Sequence, residues 1–166
     1  QAVKLAACLN SLYSSATADF SAASPWYQPY VDYAQRNGIL TRTFADYDAH
    51  ASRREFAAVL AGALPRGALQ PINSIADGAI PDVPVSAEDA DAIYLLYRAG
   101  VLTGSNGGRV KPDDTIRRSE AAAILTRMAV PSLRQKVEIS TGEQPENVLS
   151  ADEILEKCGP AVFKLT

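Results

Sequence analysis

The chain has 166 residues with 16 basic and 19 acidic side chains, a net charge of −3 and a pI near 5.2, so it offers no electrostatic footprint for nucleic acid or anionic lipid. An apolar share of 47% is too high for a disordered chain, and no apolar run approaches the roughly 20 residues of a membrane span. Cys8 and Cys158 stand near opposite ends with no CxxC pair and His50 is the single histidine; neither a zinc site nor a disulfide framework is written here, and two free thiols are expected.

Residues 1–14 read as an amphipathic helix, with Ala2, Leu5, Ala6 and Leu9 at the i, i+3, i+4, i+7 spacing of one face. A connection at 15–24 leads to a helix predicted at 25–37, punctuated by Ser24-Pro25 at its start and Gly38 at its end. After 41–51, Ser52 and Glu55 have the spacing of a capping box and open a helix over 52–64 whose face is Phe56, Val59, Leu60 and Ala63. The longest connection, 65–85, precedes a helix at 86–99 that ends at Gly100. A turn at 103–115 then leads to a helix at 116–129 with Ala121, Ile124, Leu125 and Met128 on its face. Leu5, Leu9, Phe56, Val59, Leu60, Ile93, Leu96, Ile124, Leu125 and Met128 are expected to be buried.

These segments repeat. Arg53-Arg54-Glu55-Phe56-Ala57-Ala58-Val59-Leu60 matches Arg118-Ser119-Glu120-Ala121-Ala122-Ala123-Ile124-Leu125, and each copy follows a matched helix ending in Gly-Ile-Leu or Gly-Val-Leu. Gly38 and Gly100 are 62 positions apart and Glu55 and Glu120 are 65 apart, a period of one supersecondary unit. Gln1 aligns with the two glutamates, so residues 1–14 read as the closing helix of a first unit. Its opening helix would come from upstream chain or a neighbouring molecule; without it an exposed apolar face would favour self-association. The expected organisation is a repeat module at 1–135, comprising the end of a first unit at 1–14, a second unit at 25–64 and a third at 80–130. A polar linker at 136–149 follows, and 150–166 read as the start of another domain, with a helix opened by Ser150 and Glu153 and a strand-like alternation from Ala161 to Leu165.

In the third unit Pro81-Asp82-Val83, Ala92-Ile93, Leu96-Tyr97-Arg98-Ala99-Gly100-Val101-Leu102-Thr103-Gly104, Val110-Lys111-Pro112-Asp113 and Ile116-Arg117-Arg118-Ser119-Glu120-Ala121-Ala122 follow one another in an order that resembles the S-layer homology (SLH) family. The resemblance runs over about residues 1–130. It implies an all-α fold of helical repeats in a pseudo-threefold arrangement. It also implies a secreted, cell-surface protein held non-covalently to the secondary polysaccharide of a Gram-positive cell wall, in many members through pyruvylated sugars, with the Thr-Arg-Ala-Glu box contributing to the binding grooves. Residues 149–163 resemble the entry segment of trypsin-like, HtrA-type peptidase domains. That implies an alternative in which the repeats target or regulate a surface serine protease whose catalytic domain lies beyond residue 166. A protein-docking scaffold without glycan affinity is the other alternative.

Five residues are the candidate ligand contacts. Arg53 and Arg118 each stand at a helix start, where unpaired amides and the positive dipole end favour an anion and a guanidinium fork suits a carboxylate; the other reading is an arginine in an ion pair between repeats. Trp26 offers a face to a sugar ring or a plug for the joint between repeats. Gly104 and Ser105 open a turn whose amides could approach a carboxylate, or which simply reverses the chain. Ser52, Glu55 and Glu120 read as helix-capping residues rather than catalytic acids, because no second carboxylate or histidine accompanies them. Arg117 stands where the capping hydroxyl belongs, so the fifth helix must be capped differently. The run Asp46-Tyr47-Asp48-Ala49-His50 lacks the glycine and the bidentate glutamate of a calcium loop, and a lone histidine completes no Ser/His/Asp set. The expectation is no catalytic set, no metal and no cofactor.

Overall fold

All five predicted helices form in the computed structural model, which describes residues 1–139: α1 (Ala2–Ser15), α2 (Gln28–Arg36), α3 (Arg53–Ala61), α4 (Ala90–Arg98) and α5 (Arg118–Ala129). Three single 3₁₀ turns (Arg66–Ala68, Asn106–Gly108 and Pro131–Leu133) and two isolated β-bridges complete the regular structure, so the described residues are all-α. The helix and strand expected within 150–166 lie outside the described residues.

The repeat is visible in how the helices end. Ile39 N–H donates to Ala34 O at 2.8 Å and Val101 N–H to Leu96 O at 2.9 Å, the six-to-one bond of a Schellman motif, with Gly38 and Gly100 in the left-handed conformation. The starts differ from expectation. Helix α4 begins at Ala90 rather than 86, because Asp89 takes φ 60 and a left-handed residue cannot extend a helix backwards. Its carboxylate is gripped from the second unit by Arg42, with Nη1 at 3.1 Å from Oδ1 and Nη2 at 2.7 Å from Oδ2.

Helix α1 packs on α2 and α3, and α3 packs on α4, so a closing helix lies against the opening helix of the next unit. Phe56, Val59, Leu60, Ile93, Leu96, Ile124 and Met128 are buried. Full burial of a side chain such as Leu60 contributes about 1.5–3 kcal/mol. Leu5, Leu9 and Leu125, expected inside, are only half-buried at the edge of the core. In α1 the buried residues are Val3, Ala6, Ala7 and Ser11, a stripe turned by about one position from the predicted face. Two helices, α2 and α3, pack on α1.

Past α5 the chain turns at Pro131–Leu133 and runs back over the end of α4. Gln135 N–H donates to Gly100 O at 2.9 Å. Buried Asn73 then acts as a clasp: its Nδ2 donates to Tyr97 O (3.1 Å) and Gln135 O (3.0 Å), and its Oδ1 accepts from Val137 N–H (3.0 Å). Val137 and Ile139 pack on the core, so packing continues past the module edge expected at 135.

Candidate functional site

A groove lies between the second and third units, walled by the start of α3, the turn after α4 and one side of α5, with Arg53, Thr103, Gly104, Glu120 and Arg127 on its lining. Leu102, Val110 and Ile124 supply its apolar surface.

The turn is held from below by Tyr97. Its ring is buried, and its hydroxyl lies 3.1 Å from Thr103 O and 3.3 Å from Gly108 O, donating its one proton to these carbonyls. Burial pushes the Tyr97 phenol up, the charge of Asp82 adds to the shift, and the group remains a donor at neutral pH. Gly104 has φ 66, and a Cβ there would stand 2.6 Å from the Tyr97 hydroxyl and 2.9 Å from Gly108 O, so the chain can approach this closely only as glycine. The far limb of the turn is pinned by the Asp82 carboxylate, which accepts from Val110 N–H at 2.9 Å and Lys111 N–H at 2.8 Å.

The same limb reaches across to the second unit. Asp114 O accepts from Arg53 N–H and Pro112 O from Arg54 N–H, both at 2.9 Å, while Ile116 N–H donates to Ala51 O at 3.2 Å. Ser52 Oγ accepts from Glu55 N–H at 3.3 Å and Glu55 Oε2 from Ser52 N–H at 2.8 Å, a complete capping box. The expectation of open amides beside Arg53 therefore fails: peptide carbonyls and a hydroxyl from the protein itself already occupy them. What the groove receives from α3 is the Arg53 side chain.

That side chain is three-quarters buried and pairs with Glu120, Nη2 to Oε1 at 2.5 Å. The other carboxylate oxygen, Oε2, accepts from Arg117 N–H at 2.9 Å and caps α5. Burial pushes the Glu120 carboxyl up, but the bonds from Arg117 N–H and the Arg53 guanidinium and the charges of both arginines outweigh it and hold the group below the usual carboxylate range. Arg127 Nη1 donates to Val101 O at 3.2 Å. Two guanidinium groups against one carboxylate, over an apolar surface, suit a small ligand bearing a single negative charge.

The second unit has a counterpart groove. Ala51, Glu55 and Val59, which align with Ile116, Glu120 and Ile124, line it together with residues of α1 and an aromatic set of Trp26, Tyr27, Phe44 and Tyr47. Trp26 is 42% exposed, its Nε1–H donating to Asp48 Oδ1 at 3.0 Å. The Tyr27 and Tyr47 rings stack with centroids 5.3 Å apart. Arg42, aligned with Gly104, is drawn off to Glu88 and Asp89, and Gly62 stands where the third unit has Arg127. The two grooves have different chemistry.

Of the five candidate contacts, the structure brings Arg53 and Gly104 into one groove and sets Trp26 in the other. Arg118 and Ser105 are exposed and line neither. The Ser105 amide and hydroxyl both turn back to Arg109 O, at 2.7 and 3.2 Å. Thr103 and Arg127 were not singled out from sequence. Arg127 carried a signal, since it follows Glu120 by seven positions and so lies on the same side of α5.

Residues 79–122 match the family model described as S-layer homology domain, a domain that generally mediates cell-wall anchoring. No curated protein and no solved structure gives a significant match. The matched stretch covers the third unit as far as the start of α5 and includes Asp82, Tyr97, Gly104 and Glu120. No match extends to residues 149–163, where the peptidase-like segment was expected. Among the described residues no helix is long and apolar enough to cross a membrane, and no cluster of His, Cys, Asp and Glu could hold a metal ion.

Proposed function

We propose that this chain anchors a surface protein to the bacterial cell wall by binding secondary wall polysaccharide, with an acidic, pyruvylated sugar seated between the second and third units. The observation that carries the reading is the meeting of Arg53 with the Gly104 turn in one groove, whose turn and Glu120 fall in the segment matching the SLH model. The Arg53 fork supplies paired donors to the sugar's carboxylate, and the Tyr97-supported turn lets the ring come close to the backbone. The Trp26 edge of the second-unit groove supports stacking of a further sugar. Under this reading α1, α3 and α5 are the closing helices of three SLH repeats arranged around a pseudo-threefold axis, on a protein displayed outside the cell.

The test is retention on purified cell walls before and after removal of the secondary polymer, joined to calorimetric titration of the pyruvylated polysaccharide. Arg53→Ala should cost the charge-assisted bonds, about 1.5–3 kcal/mol, and weaken binding roughly tenfold to a hundredfold. Arg53→Lys should recover part, since an ammonium keeps the charge without the planar fork. Retention that survives removal of the polymer would replace glycan anchoring with protein docking.

A further inference from the structure

The openings of α3 and α5 differ at one capping position, and the difference changes the work of the glutamate behind it. In α3 Ser52 satisfies Glu55 twice, Oε2 accepting from its amide at 2.8 Å and its hydroxyl at 2.9 Å. The aligned residue before α5 is Arg117, which has no hydroxyl. Glu120 keeps the amide bond through Oε2, lacks the hydroxyl donor at that oxygen, and extends Oε1 to Arg53 of the preceding unit. The serine-to-arginine difference thus coincides with a carboxylate that keeps its cap with one oxygen and turns the other to the preceding unit's guanidinium.

We infer that Glu120 is a built-in carboxylate ligand of the groove, occupying part of the Arg53 fork that an incoming acidic group must use, and thereby sets how strongly the groove holds anionic ligands. The inference rests on the groove being the glycan site. Glu120 stands where a ligand carboxylate would pair with Arg53, so an acidic sugar must displace it or share the guanidinium. A simple anion gains little from that exchange, whereas a sugar that also contacts the Gly104 turn and Arg127 gains enough to compete. Position 117 becomes a specificity-determining residue acting through Glu120.

The experiment compares wild type, Glu120→Gln, Arg117→Ser, Arg53→Ala and the Arg53→Ala/Glu120→Gln pair by calorimetry with pyruvylated wall polysaccharide and with the same polymer stripped of pyruvate. Melting curves verify each fold, and the Gln variant keeps an acceptor for the Arg117 amide. Glu120→Gln should bind the pyruvylated polymer roughly fivefold tighter, the size of a part-exposed ion pair removed from competition. Arg117→Ser, returning a hydroxyl donor to Oε2 and so drawing charge from the carboxylate that holds Arg53, should also tighten binding although it removes a positive charge. The Glu120→Gln gain should vanish without Arg53, and neither gain should persist toward the stripped polymer. In the free protein, nuclear magnetic resonance should find rotation of the Arg53 guanidinium restricted in wild type and released in both tight-binding variants. If both variants bind no tighter than wild type while Arg53→Ala binds weakly, Glu120 is a cap alone and the inference is overturned. Failure of the glycan reading has another signature: wild type does not bind although Arg53 stays restricted, and the selectivity role falls with it.

Discussion

At the scale of single residues, the site depends on one absent side-chain carbon and one buried hydroxyl. Gly104 stands so close to Tyr97 that alanine meets both a positive φ and the phenol oxygen at 2.6 Å. Gly104→Ala should cost at least about 1 kcal/mol, because the native conformation does not suit the new residue, and lower the melting temperature by about 2–4 °C. Tyr97→Phe makes room while leaving Thr103 O and Gly108 O without their shared donor, so the double variant should be less destabilised than the sum of the singles. A thermodynamic cycle from urea melts measures this; simple additivity would show that the contact does not limit the turn. Arg53 and Gly104 were legible as candidates because their residue types carry the chemistry. Their meeting was not legible, since it is made by the limb at 110–116 crossing between units, and the pairing of Arg53 with Glu120 depends on that crossing.

At the scale of elements, the two glutamate caps differ in what holds them, and acid should weaken the one at α5. Glu120 is held below its ordinary value of 4.5 by the bonds and charges of Arg117 and Arg53, despite burial acting the other way. A carboxyl depressed on folding contributes stability that is fully present above its unfolded value and is lost as pH falls through the folded value. Wild type should therefore exceed Glu120→Gln in stability at neutral pH, and the gap should close as pH drops below 4.5. Urea midpoints across an acid series read this directly, and a gap that widened in acid would contradict it. The existence and order of the helices were legible from periodicity, capping residues and the glycine stops. Two details were not. The start of α4 falls at the left-handed Asp89, whose carboxylate is held by Arg42 47 positions away, and the buried stripe of α1 faces two neighbouring helices.

At the scale of the whole molecule, the returning segment through Ile139 ties the end of the module to the end of α4 through Asn73. Asn73→Ala leaves Gln135 O and the Val137 amide without the Asn73 bonds, and Tyr97 O with Gly100 N–H alone, and should cost about 1–3 kcal/mol. Hydrogen exchange should accelerate at the Val137 amide while α1 stays protected; equal acceleration everywhere would make Asn73 a global core residue rather than a local clasp. The crossing limb has a wider consequence for how such proteins are inherited. The first two amides of α3 are satisfied by carbonyls of Pro112 and Asp114, which belong to the following unit. A segment cut at 25–64 would carry the whole repeat pattern and still lack the stop for its own helix. Recombination along the visible periodicity between the second and third units would break this dependence, so a swap that survives there must carry α3 together with the limb that completes it. The piece that can be exchanged is out of phase with the piece that repeats.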